Sequence, residues 1–175
     1  MPNLLLEKVE YKVVESDSGT WRRYLHPNGA VFADYTSKTV VFGLPLLHYT
    51  RGLSPETGTY PVARGFVAVG RRAVGVIAVG RFAAGVLAVG QVSIGLAGFG
   101  QLTAGLLAVG QMAAGGLLGI GQLATGLVCV AQLGWGKWVL AQIGLGQHVW
   151  SMRLKNPQAI EFFRSLAGAF GLGGS

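Results

Sequence analysis

Acidic residues are scarce in this 175-residue chain: seven Asp and Glu stand against fourteen Lys and Arg, for a formal net charge of +7. No acid occurs between Glu56 and Glu161, and no charge of either sign between Arg81 and Lys137. Acid and base catalysis by paired carboxylates therefore has no place in that stretch. The single cysteine, Cys129, excludes a disulfide framework and a cysteine-built metal site. All six prolines lie outside residues 62–156, as strands that must donate ladder hydrogen bonds require. Apolar residues make up 51% of the chain and charged ones 12%, which excludes a disordered polymer, because such chains are polar and charged.

The motifs of common chemistries are missing too. His26, His48 and His148 are far apart, and none has a partner at metal-ligand spacing. No Gly-x-Gly-x-x-Gly joins a strand to a helix, and neither a P-loop nor a Gly-x-Ser-x-Gly elbow occurs. The expectation is a protein without enzymatic activity, cofactor, metal or small-molecule substrate, with His26 and His48 in structural roles. Met1-Pro2-Asn3-Leu4-Leu5-Leu6-Glu7 lacks the basic region and long apolar core of a signal peptide, so the expected location is the cytoplasm or the cytoplasmic face of a membrane.

Glycine is abundant instead. It recurs at 65, 70, 75, 80, 85, 90, 95, 100, 105, 110 and 115, and after one inserted residue near Gly116 the phase resumes at Gly121, Gly126, Gly136 and Gly146, with Ala131 and Ala141 in the vacant slots. Each pentad reads Gly, variable, large apolar, small, apolar. The small slot holds Ala68, Ala73, Ala78, Ala83, Ala88, Ser93, Gly98, Thr103, Ala108 and Ala113. A step of five residues turns about 140° in a helix and would scatter the glycines around every face. Short strands with glycine corners fit, and the alternation predicts that the two large residues point inward and the small one outward. The broad faces would then be flat and lined by Ala, Gly, Ser and Thr.

The variable slot doubles the period. It is polar at Arg71, Arg81, Gln91, Gln101, Gln111, Gln122, Gln132 and Gln142, and apolar at Phe66, Val76, Val86, Leu96, Leu106 and Leu127. The predicted fold is all-β: a narrow β-solenoid of ten-residue coils, with a four-sided pentapeptide-type coil as the alternative. Residues 1–61 read as an N-terminal β cap and connection, 62–150 as the solenoid, and 151–175 as a C-terminal amphipathic helix and tail. Within the cap, strands are predicted over Leu6–Val14, Trp21–Leu25, Ala30–Tyr35 and Thr39–His48, with turns at Ser16–Gly19 and His26–Gly29, and Leu53–Pro61 as the connection. Asn156 as N-cap and Pro157 at the first helical position open a helix through about Ala169, with Ile160, Phe163, Leu166, Ala167 and Phe170 as its apolar stripe.

The run Val41-Phe42-Gly43-Leu44-Pro45-Leu46-Leu47-His48, a connection, and then Ala63-Arg64-Gly65-Phe66-Val67-Ala68-Val69-Gly70 with its iterations resembles a group of uncharacterised bacterial proteins, in which a Gly-Leu-Pro-Leu-Val-His-like strand precedes Gly-x-Ile-Ala-Ile repeats. The resemblance covers residues 41 to about 146 and implies a bacterial origin and a solenoid, but no activity. The chain departs from it by placing Gln where the group often has a second Gly, and by losing regularity after Gly116. Pentapeptide-repeat proteins that imitate DNA are a more distant comparison, and their acidic surfaces are the opposite of this one.

Function then rests on surfaces. Gln91, Gln101, Gln111, Gln122, Gln132 and Gln142 form one edge ladder, and Val76, Val86, Leu96 and Leu106 the opposite apolar one. With the flat faces they suit sideways association of a scaffold into a homo-oligomer. Alternatively, the apolar edge and the basic residues Arg64, Arg71, Arg72, Arg81, Lys137, Arg153 and Lys155 dock on anionic lipid. Trp135, Trp138 and Trp150 would plug the end of the core or form an interfacial belt. A third reading makes the apolar windows Ala83–Gly100 and Leu102–Gly121 membrane-spanning helices joined by glycine zippers. Nucleic acid is not expected as a partner, since aromatic residues do not interleave with the basic ones.

Overall fold

The computed structural model describes residues 9–169 and Gly171. Leu6–Lys8 of the first expected strand and Phe170 of the expected helical stripe lie outside the described residues. The chain is mostly strand, with one C-terminal helix. Its contacts divide it into two compact units, Met1–Gly90 and Gln91–Ser175.

The first unit opens on β1 (Lys12–Glu15), β2 (Gly19–Leu25) and β3 (Val31–Ser37), joined as antiparallel neighbours at the two predicted turns. At the second turn the His26 N–H donates to the Ala30 carbonyl at 2.8 Å, and Gly29 takes φ of 81°. The predicted strand over Thr39–His48 is broken in two. Its first half is a small hairpin of β4 (Val40–Val41) and β5 (Leu44–Pro45), folded about Phe42 and Gly43 at φ of 52° and 77°. Positive φ at both central residues matches the twist of a two-residue hairpin, and Gly43 is the half of the pair that adopts it without steric cost. The second half continues as β6 (Leu47–Arg51), antiparallel to β3. On its other side β6 runs parallel to the start of β7 (Val62–Trp150), with Leu47, His48 and Tyr49 opposite Val67, Ala68 and Val69. The edge that the first glycine repeat would otherwise leave open is thereby paired.

Drawn out straight, the 89 residues of β7 would reach about 300 Å. They instead double back with a step of ten residues. In the first unit a methyl group at Gly75 would overlap the carbonyl oxygen of Gly65, and Gly85 bears the same relation to Gly75, Gly80 to Gly70 and Gly90 to Gly80. In the second unit Gly105 lies against Gly95, Gly136 against Gly126 and Gly146 against Gly136 in the same way. The step lengthens once, where Gly121 lies against Gly110, eleven residues back, which places the extra residue of the sequence in a local bulge.

The interior corrects the predicted orientation of the pentad. The small residues point in: Ala63, Ala68, Ala73, Ala78, Ala83 and Ala88 form one buried cluster, and Ala108, Ala113, Ala124, Cys129, Val139 and Val149 belong to another in the second unit. Ser93 and Thr103 are buried in the same slot. The large residues on either side point outward, as at Val74, Phe82, Ile94 and Leu102. Gly98, buried between Ser93 and Thr103 of the slots five residues before and after it, would bring a methyl group to 3.2 Å from the Ser93 oxygen and 3.5 Å from the Thr103 Cβ. Residues five apart thus face each other across an interior too thin for two large side chains, well under the ~10 Å that separates ordinary packed sheets.

The helix, α1 (Pro157–Ala169), begins where the sequence places it. The Asn156 side-chain oxygen accepts from the Ala159 N–H at 3.2 Å. Before it, the chain reverses at Ser151–Leu154, and the Asn156 N–H donates to the Val149 carbonyl at 3.0 Å. Ala159 and Phe163 are buried. Phe162, which the predicted stripe omits, stacks on Trp138 at 4.5 Å, and Trp138 stacks on His148 at 4.2 Å.

Candidate functional site

With the small residues inside, the outer surface of β7 carries large apolar side chains on both members of each pair of pentads. In the first unit Val74 and Phe82 lie on one pentad type, and Val79, Val86 and Val89 on the other; all are exposed. In the second unit Ile94, Leu102 and Met112 alternate with Leu96, Phe99, Leu106 and Leu107, also exposed, with Ile94 at 59% and Leu96 at 58%. The flat Ala, Gly, Ser and Thr faces expected from the sequence are absent, because those residues fill the interior. The apolar edge residues Val86, Leu96 and Leu106 are exposed and Val76 is half-buried, so they join a wider apolar surface. Gln91, Gln101, Gln111, Gln122, Gln132 and Gln142 are all exposed. Both windows read as membrane-spanning helices, Ala83–Gly100 and Leu102–Gly121, lie in β7, and among the described residues no helix is long and apolar enough to cross a membrane.

The basic residues expected to meet an anionic surface are exposed at Arg64, Arg72, Arg81, Lys137, Arg153 and Lys155; Arg71 is half-buried. The Arg71 guanidinium lies over the Tyr60 ring, 3.8 Å from its centroid. Arg71 and Arg72 line one hollow of the first unit with Leu53, Gly58, Thr59, Tyr60 and Phe82. In the second unit Trp138 is half-buried in the stack beneath the helix, whereas Trp135 is 69% exposed beside Lys137.

A buried polar cluster that the sequence did not suggest lies where β3 and β6 meet the start of β7. Asp34, 3% exposed, pairs with Arg22 across β2 and β3 through both Nε and an Nη, and accepts from His48 Nε2 at 2.9 Å. The other ring nitrogen, Nδ1, lies 2.8 Å from the Arg64 amide nitrogen and 3.1 Å from the Arg64 carbonyl oxygen, so it accepts from the first when the ring is neutral and donates to the second when the ring is protonated. Burial disfavours the Asp34 carboxylate, but the hydrogen bonds from His48 and Arg22 together hold its carboxyl below its ordinary value. The hydrogen bond to Asp34 raises His48 above its ordinary value against the opposing effect of burial. Both imidazole nitrogens are committed, so this Asp and His pair ties sheet to repeat and offers no nitrogen for proton transfer. His26 is similarly occupied, with Nε2 2.9 Å from the Leu53 carbonyl. Among the described residues no group of three His, Cys, Asp or Glu is placed to hold a metal ion.

Comparison of the chain with protein-family models, with curated proteins and with solved structures finds no match.

Proposed function

We propose that the chain is a non-enzymatic β-solenoid scaffold, built of ten-residue coils with small residues inside, that works against an anionic membrane. One observation carries this: large apolar side chains point outward from both pentad types, in a stretch without charge, with exposed Arg and Lys on either side of it in the sequence. Water alone is a poor solvent for such a surface, and exposed apolar side chains that lie side by side mark a site of protein or membrane contact. Acyl chains would cover these side chains on both pentad types, while Arg71, Arg72, Lys137, Arg153 and Lys155 meet lipid phosphates. Backbone groups that pair from coil to coil remain satisfied in that setting, the condition for any structure in contact with hydrocarbon.

Vesicle flotation tests this. The purified chain is expected to float with vesicles of phosphatidylcholine and phosphatidylglycerol and to float less with phosphatidylcholine alone; sedimentation away from both contradicts the proposal. Sideways association of copies is the second reading, favoured by a shallow apolar hollow between Leu102, Met112, Leu123 and Thr125 that suits an apolar side chain of another copy. It predicts a mass by light scattering that rises with concentration in buffer without lipid or detergent.

A further inference from the structure

The hollow beneath Arg71 and Arg72 has features that the general apolar surface lacks. We propose that it is a binding site for the phosphate monoester of a lipid headgroup, a proposal that rests on the membrane reading and gives it a specific contact. Two guanidinium side chains line a cavity of about 370 Å³ whose other walls are Leu53, Gly58, Thr59, Tyr60 and Phe82, with no carboxylate among them. The nearest acid in sequence, Glu56, is engaged elsewhere, its carboxylate accepting the Tyr11 hydroxyl at 2.9 Å.

The site is pre-organised. The Arg71 guanidinium carbon lies 3.8 Å from the centroid of the Tyr60 ring, a cation–π contact that holds this side chain at the hollow, and the N–H groups of such a guanidinium can fork onto two oxygens of a phosphate. The wall opposite β7 is a closed loop: the Ser54 N–H donates to the Thr59 carbonyl and the Gly58 N–H to the Ser54 carbonyl, each at 2.8 Å. Gly58, at φ of 62°, makes the turn that keeps the loop compact. Phe82, half exposed, and Leu53 bring apolar surface to the same hollow. A free phosphate ion has no use for those two side chains; a phosphate carried on a glycerol backbone with acyl chains does. The doubly charged monoester is favoured over a diester, since two arginines and no carboxylate line the hollow.

The test uses short-chain lipids, which report on the pocket without a bilayer. In calorimetric titrations the full chain is expected to bind dihexanoyl phosphatidic acid at least ~10-fold more tightly than glycerol 3-phosphate, and to show no binding of dihexanoyl phosphatidylcholine. Arg71→Gln combined with Arg72→Gln is expected to weaken phosphatidic acid binding by at least ~10-fold, with an unchanged circular dichroism spectrum as the check on folding. Tyr60→Leu, which removes the ring beneath Arg71, is expected to weaken it several-fold, whereas Tyr60→Phe retains it. Equal binding by the double glutamine variant, or equal affinity for phosphatidic acid and phosphatidylcholine, overturns the site. Equal affinity for glycerol 3-phosphate and phosphatidic acid overturns the lipid assignment, since it marks a receptor for soluble phosphoesters. A double glutamine variant that still floats with anionic vesicles but has lost the short-chain ligand supports the pocket and leaves the broader membrane reading standing on its apolar surface. A wild-type chain that binds the short-chain lipid yet never floats supports the pocket and refutes that broader reading.

Discussion

Cys129 and Gly134 face each other across the thin interior of the second unit, and a methyl group at Gly134 would lie 2.8 Å from the Cys129 sulfur. The other side of Gly134 is closed by Val139, whose Cγ1 would be 3.1 Å from the same methyl. Gly144 repeats the pattern between Val139 and Val149, at 2.9 and 2.8 Å. A larger inner residue is thus answered by a glycine five positions along the chain, which keeps the interior at nearly constant thickness. Gly134→Ala is expected to destabilise the fold by about 2 kcal/mol. Adding Cys129→Ala should return part of that loss, because it removes the atom the new methyl would meet. A double-mutant cycle by denaturant unfolding gives the coupling directly, and strict additivity would refute the size matching.

Ser93 shows the same constraint from the side of polarity. Its hydroxyl oxygen is buried without a hydrogen-bond partner. Ser93→Ala removes that unsatisfied group at almost no cost in volume, and the unfolding free energy is expected to rise by about 1 kcal/mol. A fall of similar size would place the hydroxyl in a hydrogen bond that stabilises the fold.

Gly105 and Gly116 both belong to the glycine-rich run but sit in different surroundings. A methyl at Gly105 would overlap the Gly95 carbonyl oxygen, whereas at Gly116 the nearest atom is the flexible Leu106 Cδ1 at 3.4 Å. Gly105→Ala is expected to cost about 3 kcal/mol or more, or to prevent folding, and Gly116→Ala less than about 1 kcal/mol. Comparable thermal midpoints for the two variants would contradict the ten-residue step.

The Asp34 and His48 pair gives stability a pH dependence of defined sign. His48 is raised above the ordinary histidine value of 6.5, so its contribution is complete below that value and is lost as pH climbs through its folded-state value. Asp34 is held below the ordinary 3.8, so its contribution is present above 3.8 and disappears as pH falls through its folded-state value. Stability from this cluster is therefore greatest between those limits and declines on the alkaline side of 6.5. His48→Gln is expected to abolish the decline on the alkaline side of pH 6.5 in thermal unfolding; an unchanged slope assigns it to other groups.

Periodicity was legible in the sequence, and orientation was not. The glycine step, the single insertion near Gly116 and the helix opened by Asn156 and Pro157 follow from local rules that need no knowledge of what packs against what. The inward direction of large residues was a matter of numbers: two apolar side chains per pentad outvote one small one if the interior has room. Residues five apart leave no such room, and Ser93 and Thr103, which suggested an outward face, are buried there. A signal was available in the narrow size range of the small slot and in the glycines at 98, 134 and 144 opposite Ser, Thr, Cys and Val. Strand Thr39–His48 failed for a different reason: its apolar run concealed the Phe42-Gly43 turn, where Phe42, 91% exposed, takes a backbone angle its side chain disfavours. The Asp34 cluster joins residues from separate strands and has no local signature.

The inverted pentad is the claim on which the outward apolar surface depends, and thiol labelling tests it most directly. Cys129 is buried, its Sγ donates to the Ala124 carbonyl at 3.2 Å, and burial pushes its thiol above the ordinary value. Native Cys129, and a cysteine placed by Val139→Cys in a Cys129→Ala background, are expected to react with a maleimide at least ~100-fold more slowly than cysteines placed by Leu123→Cys, Leu127→Cys or Leu133→Cys in that background. Rapid labelling at 129 and 139 with protection at 123, 127 and 133 would turn the pentad inside out and contradict the account.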